Sequence, residues 1–392
     1  MRTTLLALLL LMAACAERPG TMPVTPSASD RTAAAVPSPA PSGGLAVVLT
    51  GAPLVSDHGV TWCAGSVGSG DCAGIPVTGL PDGTVEGFER SSVWRVEGVY
   101  DGVTVHATAV PEPVDRTEPD FTTPCEDLRG LSSETGSMDQ AAGAAVEQYL
   151  ATIPERHAAT WWDQRNAVVT VLLTGDDVTA HRAALQDAVG DRGTVCVVGG
   201  ARWSAAELDR AQQRALEIAQ AEGMGPWSSG TDAVANRVDL EVERSDDASV
   251  ARIAREAGEA VRVHAFIAVR DGTLADLPAP PARGDVELET ARTRGGAGMT
   301  ALGIFTLRFD EEQRCVYGEF GQERIGVIWP FGYYAESGPL RVYDRDGHLV
   351  AQEGDRLEAG GGQVPRDGGQ VCGASEVWVM NGRPEVVGPS EG

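Results

Sequence analysis

Six histidines, seven cysteines and 56 acidic residues are the side chains of this 392-residue chain able to do chemistry. Nucleophilic hydrolysis needs a base within reach of a Ser, Thr or Cys. None of His58, His106, His157, His181, His264 and His348 stands in a nucleophile motif. The Gly-x-Ser-x-Gly elbow, the P-loop, the Gly-x-Gly-x-x-Gly fingerprint and His-Glu-x-x-His are all missing from the sequence. His106, His264 and His348 fall in or beside alternating apolar segments and read as strand residues. So many carboxylates give many accidental pairs, so glycoside cleavage has no specific signature. The expectation is a chain that is not an enzyme, with no catalytic residue, no cofactor and no metal. A hydrolase with an unrecognised site is the alternative.

The cysteines are Cys15, Cys63, Cys72, Cys125, Cys196, Cys315 and Cys372. Cys15 ends a segment in which Arg2 gives a positive start, Leu5 to Met12 a short apolar run, and Ala13-Ala14 the small pair ahead of a cleavage site. This order resembles the lipobox of bacterial lipoproteins. The resemblance implies removal of residues 1–14 as a signal peptide and acylation of Cys15, palmitate included. It also implies a lipid anchor on the outer, extracytoplasmic face of the cell membrane. An ordinary secretory signal or a small N-terminal membrane helix is the competing reading, but the apolar run falls short of the ~20 residues that span a bilayer.

Six cysteines then remain, and an even remainder in an exported chain predicts a disulfide framework. Order along the chain favours Cys63 with Cys72, Cys125 with Cys196, and Cys315 with Cys372. Zinc would need Cys-x-x-Cys or His-x-x-x-His spacing, which does not occur.

The net charge of -25 argues against nucleic acid, which demands a clustered basic face, and against electrostatic docking on anionic lipid. Every cation is an arginine. With abundant Ala, Gly and Val, this points to a GC-rich, actinobacterial genome. A 42% hydrophobic content is ample for folded domains.

Residues 15–43 are dominated by Ala, Pro, Ser and Thr after the cysteine and read as a disordered tether. Residues 44–115 carry short alternating strands, with Asp101-Gly102 between two of them as a hairpin turn, and predict a small β-barrel or sandwich. Residues 130–272 predict an α/β domain. In it, capping boxes at Ser137–Gln140 and Ser204–Glu207 open helices, strands follow at Asn166–Thr174, Thr194–Val198, Asn236–Val242 and Val261–Ala268, and helices start at Asp176 and Asp246. Asn166 and Asn236, Val168 and Val238, Asp176 and Asp246, and Arg182 and Arg252 all differ by seventy. That offset predicts a duplicated helix-strand-helix-strand unit forming one mixed, ferredoxin-like sheet. Residues 273–298 read as a linker and 299–385 as a second β domain. The fold class expected is therefore α+β and multidomain, with small β modules flanking the duplicated α/β domain.

The run from Asp163 to Thr174 and its counterpart from Asp232 to Val242 resemble the repeats in propeptides of streptogrisin-type secreted proteases. The resemblance covers about 110 residues and implies a fold and a protein-binding face. The sequence departs from that pattern: those propeptides precede a serine protease, and this chain has neither Thr-Ala-Ala-His-Cys nor Gly-Asp-Ser-Gly-Gly.

Trp329, Phe331, Tyr333 and Tyr334 form the one dense aromatic cluster and a candidate binding patch. The function these features predict is that of a membrane-anchored extracytoplasmic lipoprotein that binds an envelope or secreted polypeptide or a cell-wall ligand. A modulator or chaperone of secreted proteases is the alternative that the propeptide resemblance supplies.

Overall fold

The alternation that begins at Leu45 makes a strand with one face to bury, and the chain buries it by closing a barrel. The computed structural model describes residues 44–56, 59–64, 74–88, 92–115, 119–130, 140–278, 283–291, 301–345, 347–365 and 371–389. Strands β1 (Leu45–Ser56), β2 (Gly59–Cys63), β3 (Ile75–Thr78), β4 (Trp94–Tyr100) and β5 (Val105–Ala107) run in the order β1-β2-β3-β5-β4 and back to β1. Only the β3–β5 contact is parallel, and the short β6 (Glu112–Pro113) adds to β4. β1 passes from β4 to β2 at Gly51–Ala52. A Cβ on Gly51 would lie 2.1 Å from the Cys63 carbonyl oxygen, so this crossing needs glycine. Val47, Leu49, Trp62, Ile75, Val96 and Val105 fill the interior.

Helix α1 (Gln140–Leu150), strands β7 (His157–Asp163) and β8 (Val168–Thr174), helix α2 (Thr179–Val189) and strand β9 (Thr194–Ala201) make a first α/β unit. Helix α3 (Ala205–Ala221), strands β10 (Pro226–Asp232) and β11 (Arg237–Ser245), helix α4 (Asp247–Glu256) and strand β12 (Val261–Val269) repeat the order. In each unit the first two strands form an antiparallel hairpin and the third lies parallel to the second. Ser204 and Asp246 cap α3 and α4 with reciprocal capping boxes. Asp176 does not cap α2, which begins three residues later behind Val178. The Ser137 box lies outside the described residues.

The two units do not merge into one mixed sheet. Strands β7-β8-β9 form a separate sheet, whereas β10-β11-β12 continues into the barrel through an antiparallel contact between β12 and β1. The register also corrects the offset. Asp163 pairs with Val168 as Asp232 pairs with Arg237, and each hairpin bulges at the matching place, His157/Ala159 and Pro226/Ser228. Ala167 and Asn236 take the left-handed conformation at the two turns, and Ala142, Val146 and Leu150 are buried on α1 as Ala211, Ala215 and Ala219 are on α3. All of these are sixty-nine apart. Because strand side chains alternate faces, a one-residue slip pairs residues from opposite sides of the sheet. The identities at seventy do that, matching Val168, which packs with Cys125 and Cys196, with Val238, which packs with Leu208 and Ala211 of α3. Strands β7 and β10 were not expected. Pro226-Trp-Ser-Ser-Gly reads as a chain break, yet β10 is an edge strand, where proline and glycine are tolerated.

The last domain repeats the barrel. Strands β13 (Ala301–Asp310), β14 (Cys315–Phe320) and β15 (Glu323–Ile328) lead into a small inserted sheet, β16 (Tyr334–Glu336), β17 (Arg341–Tyr343) and β18 (Leu349–Gln352). Strands β19 (Asp355–Pro365) and β20 (Glu376–Met380) then close the order β13-β14-β15-β20-β19 back to β13, and β21 (Glu385–Pro389) adds to β19 as β6 adds to β4. Again one contact, β15–β20, is parallel. Residues 283–291, expected as linker, lie against this barrel: Val286 is buried in its core and bridges to Ala335, and Thr290 bridges to Trp329. Among the described residues, no helix is long and apolar enough to cross a membrane.

Candidate functional site

The two α/β units treat the same sheet face in opposite ways. In β8, Val168 through Leu173 are all buried, so both faces are covered. Val169, Val171 and Leu173 pack against α1 and α2. On the other face, Val168 and Cys196 pack with Cys125, Leu128 and Val198, and Leu172 and Ala159 pack with Trp161, Ala201 and Ala233. The covering segment is tied down at three points. Cys125 is bonded to Cys196, with Cα atoms 5.9 Å apart. The Thr123 N–H donates to Asp163 Oδ2 at 2.6 Å, and the Gly130 N–H donates to Asn166 Oδ1 at 2.8 Å. Burial pushes the Asp163 carboxyl up, but hydrogen bonds from the Asn166 side chain and from the Thr123, Asn166 and Arg165 N–H groups outweigh it and hold the carboxyl below its ordinary value.

In β11 the sequence alternates, Arg-Val-Asp-Leu-Glu-Val, and so does burial. Val238, Leu240 and Val242 pack under the helices. Arg237, Asp239 and Glu241 point to the face that the Cys125 segment covers in the first unit. Asp239 Oδ1 accepts from Arg237 Nε at 3.2 Å and lies 3.0 Å from His264 Nε2, while the Trp227 indole N–H donates to Glu241 Oε2 at 3.1 Å. Arg237 also sits 3.4 Å from Asp232. Cys196 of the first unit is replaced here by Arg262, which is exposed. Arg237, Asp239 and His264 keep 35%, 29% and 30% of their side-chain surface, so this face is reachable by solvent. Ion pairs at such exposure contribute little to stability, on the order of 0.2–1 kcal/mol each. The arrangement therefore offers a row of donors and acceptors beside an indole, able to hydrogen-bond a peptide backbone or sugar hydroxyls. Among the described residues, no hydroxyl or thiol is hydrogen-bonded to His264. The alternation of β11 is the sequence signal for this face, since a strand covered on both sides, as β8 is, carries apolar residues throughout.

The other predicted site residues are distributed as follows. Cys315 is bonded to Cys372, Cα atoms 5.6 Å apart, and together with Glu287, Glu289 and Gln313 they line a polar cleft of about 310 Å³. Cys63 is disulfide-bonded, but Cys72 and the lipidation candidate Cys15 lie outside the described residues. The aromatic cluster does not form one patch. Trp329 is fully buried in the second barrel, and Tyr333 packs against that core at 6.1 Å between ring centres. Tyr334 instead stacks on Tyr343 at 5.2 Å with Arg283 over its ring, and Phe331 is half-buried. The Pro330–Gly332 corner turns the chain between these neighbours and sends them to different places.

One hydroxyl–imidazole–carboxylate line does occur. Thr78 Oγ1 is 3.0 Å from His106 Nδ1, and Asp101 Oδ2 is 3.1 Å from His106 Nε2. Register explains it: Thr78 and His106 are neighbours across β3–β5, and Asp101 caps the following turn by accepting the Val103 and Thr104 N–H groups. Among the described residues, no group of three or more His, Cys, Asp or Glu side chains is placed to hold a metal ion. No protein-family model matches the chain, and no curated protein sequence is significantly similar to it.

Proposed function

We propose that this chain is a non-catalytic, extracytoplasmic lipoprotein that takes a polypeptide or cell-wall ligand on the open face of β10–β12. The observation that carries the reading is the contrast between equivalent sheet faces. The first is apolar and sealed by residues 123–130 of the chain itself; the second is charged, part-exposed and left with an indole beside it. The buried Cys125–Cys196 and Cys315–Cys372 disulfides suit an oxidising compartment, which agrees with a lipid anchor at Cys15. The matching hairpins, sixty-nine residues apart, support descent of the two units from one duplicated ferredoxin-like ancestor. In that account one copy became a fixed scaffold and the other kept its face for a ligand.

Intact mass and membrane fractionation of wild type beside Cys15→Ala test the anchor. A diacylated N-terminus at Cys15 in the membrane fraction, with a soluble mutant, is the expected result. An unmodified, soluble wild type would overturn the anchor. The propeptide resemblance supports a second reading, modulation of secreted proteases. It predicts that the intact mature chain slows a secreted serine protease, and unchanged rates across a panel would remove it.

A further inference from the structure

The two barrels share a strand order but not a complete set of neighbours. In the first, Leu45–Gly51 of β1 pair with β4 along one edge. The opposite edge is not left bare: Val47, Val48 and Leu49 pair antiparallel with Val269, Ala268 and Ile267 of β12. In the second barrel β13 has the place of β1. Ala301–Thr306 pair with β19 on one edge, and β14 begins on the opposite edge only at Thr306, which pairs with both. Along Ala301–Phe305 that opposite edge has no strand partner among the described residues. Here Leu302 stands 65% exposed, against 4% for Val48 in the filled edge of β1.

An unpaired edge carrying an exposed apolar residue is a template for another strand. Proteins usually guard such an edge with a charge, a proline or a bulge, and Ala-Leu-Gly-Ile-Phe has none of these. We infer that the Ala301–Phe305 edge of β13 is a strand-addition site that takes an extended segment of a partner polypeptide, antiparallel and with alternating apolar residues. The model for the occupant is on the first barrel, where β12 fills the corresponding edge. Main-chain hydrogen bonds would hold the segment, with Leu302 and Ile304 contacting its alternate side chains. This surface is separate from the β10–β12 face and does not depend on what binds there.

The probe is a synthetic peptide of residues 262–270 of this chain, Arg-Val-His-Ala-Phe-Ile-Ala-Val-Arg, which contains the strand that fills the β1 edge. Titrated into the intact mature protein, it is expected to bind saturably below ~1 mM and to slow hydrogen exchange at the amides of Leu302 and Ile304, which point to the open edge, but not at Gly303, which faces β19. N-methylation of alternate peptide nitrogens should abolish binding. Leu302→Lys should weaken it at least ~10-fold, while Val386→Lys, at an exposed position on β21, leaves it unchanged. Three results would overturn the inference. One is no saturable binding. The second is binding unaffected by Leu302→Lys, which would put the peptide on β1. The third is amides of Leu302 and Ile304, which point away from β19, already protected in the free protein, which would mean that the chain fills this edge itself.

Discussion

Asp163 shows how a single carboxylate fixes one unit while its counterpart leaves the other open. It accepts hydrogen bonds from the N–H groups of Thr123, Arg165 and Asn166 and from the Asn166 side chain, and is 3% exposed. Replacing it with alanine strands buried donors, so Asp163→Ala should cost about 2–3 kcal/mol in urea unfolding. Asp232→Ala, at the matching turn, has no covering segment to release and should cost about 1 kcal/mol or less. Because the folded carboxyl is held below its ordinary value, its contribution to stability is present above the unfolded-state pKa of about 4 and is lost as pH falls through the lower folded value. The melting temperature of wild type should therefore drop on acidification below about pH 4, and drop less steeply in Asp163→Asn. None of this network was visible in the sequence. Local pattern carries no trace of it, because Thr123 lies 40 residues from Asp163 and Gly130 lies 36 from Asn166.

At the scale of elements, β8 and β11 have the same place in their units and opposite demands on composition. Thr170 of β8 is fully buried on the sealed face, and Asp239 holds the equivalent place on the open face. Thr170→Asp should destabilise by about 3 kcal/mol or more, since the carboxylate is buried on a face packed with Val168, Cys125 and Cys196. The reverse change, Asp239→Thr, should cost under about 1 kcal/mol, because it removes only part-exposed ion pairs. Equal costs would mean that the β11 face is packed like that of β8. Helix caps at Ser204 and Asp246 were legible because capping is local. Strand β19 was legible only at its start, since Gly360-Gly361-Gly362 reads as loop. In the fold, a Cβ on Gly361 would lie 2.1 Å from the Val379 carbonyl oxygen, so close strand approach explains that glycine.

Over the whole molecule, composition and alternation were enough to place β modules on either side of an α/β middle, but not to show that both modules are closed barrels of one order. Closure depends on the parallel contacts β3–β5 and β15–β20, whose strands lie far apart in sequence, and periodicity carries no trace of them. The join between β12 and β1 was hidden for the same reason. Cysteine order did predict two of the cross-links, because each ties elements of one module. Cys125→Ser with Cys196→Ser opens a long loop and should cost about 2–5 kcal/mol, with the loss appearing first as proteolysis near residues 119–130. Cys315→Ser with Cys372→Ser should lower the stability of the second barrel and leave that segment protected.

The proposed ligand meets the open β10–β12 face, and that contact can be captured directly. The direct measurement places a photo-crosslinking residue at position 262, on that face, or at position 255, on the exposed side of α4, in protein expressed at its natural location. A discrete adduct is expected from position 262, lost when Asp239 is changed to Arg, and none from position 255. Identical adducts from both positions, or an adduct at 262 indifferent to Asp239→Arg, would contradict it.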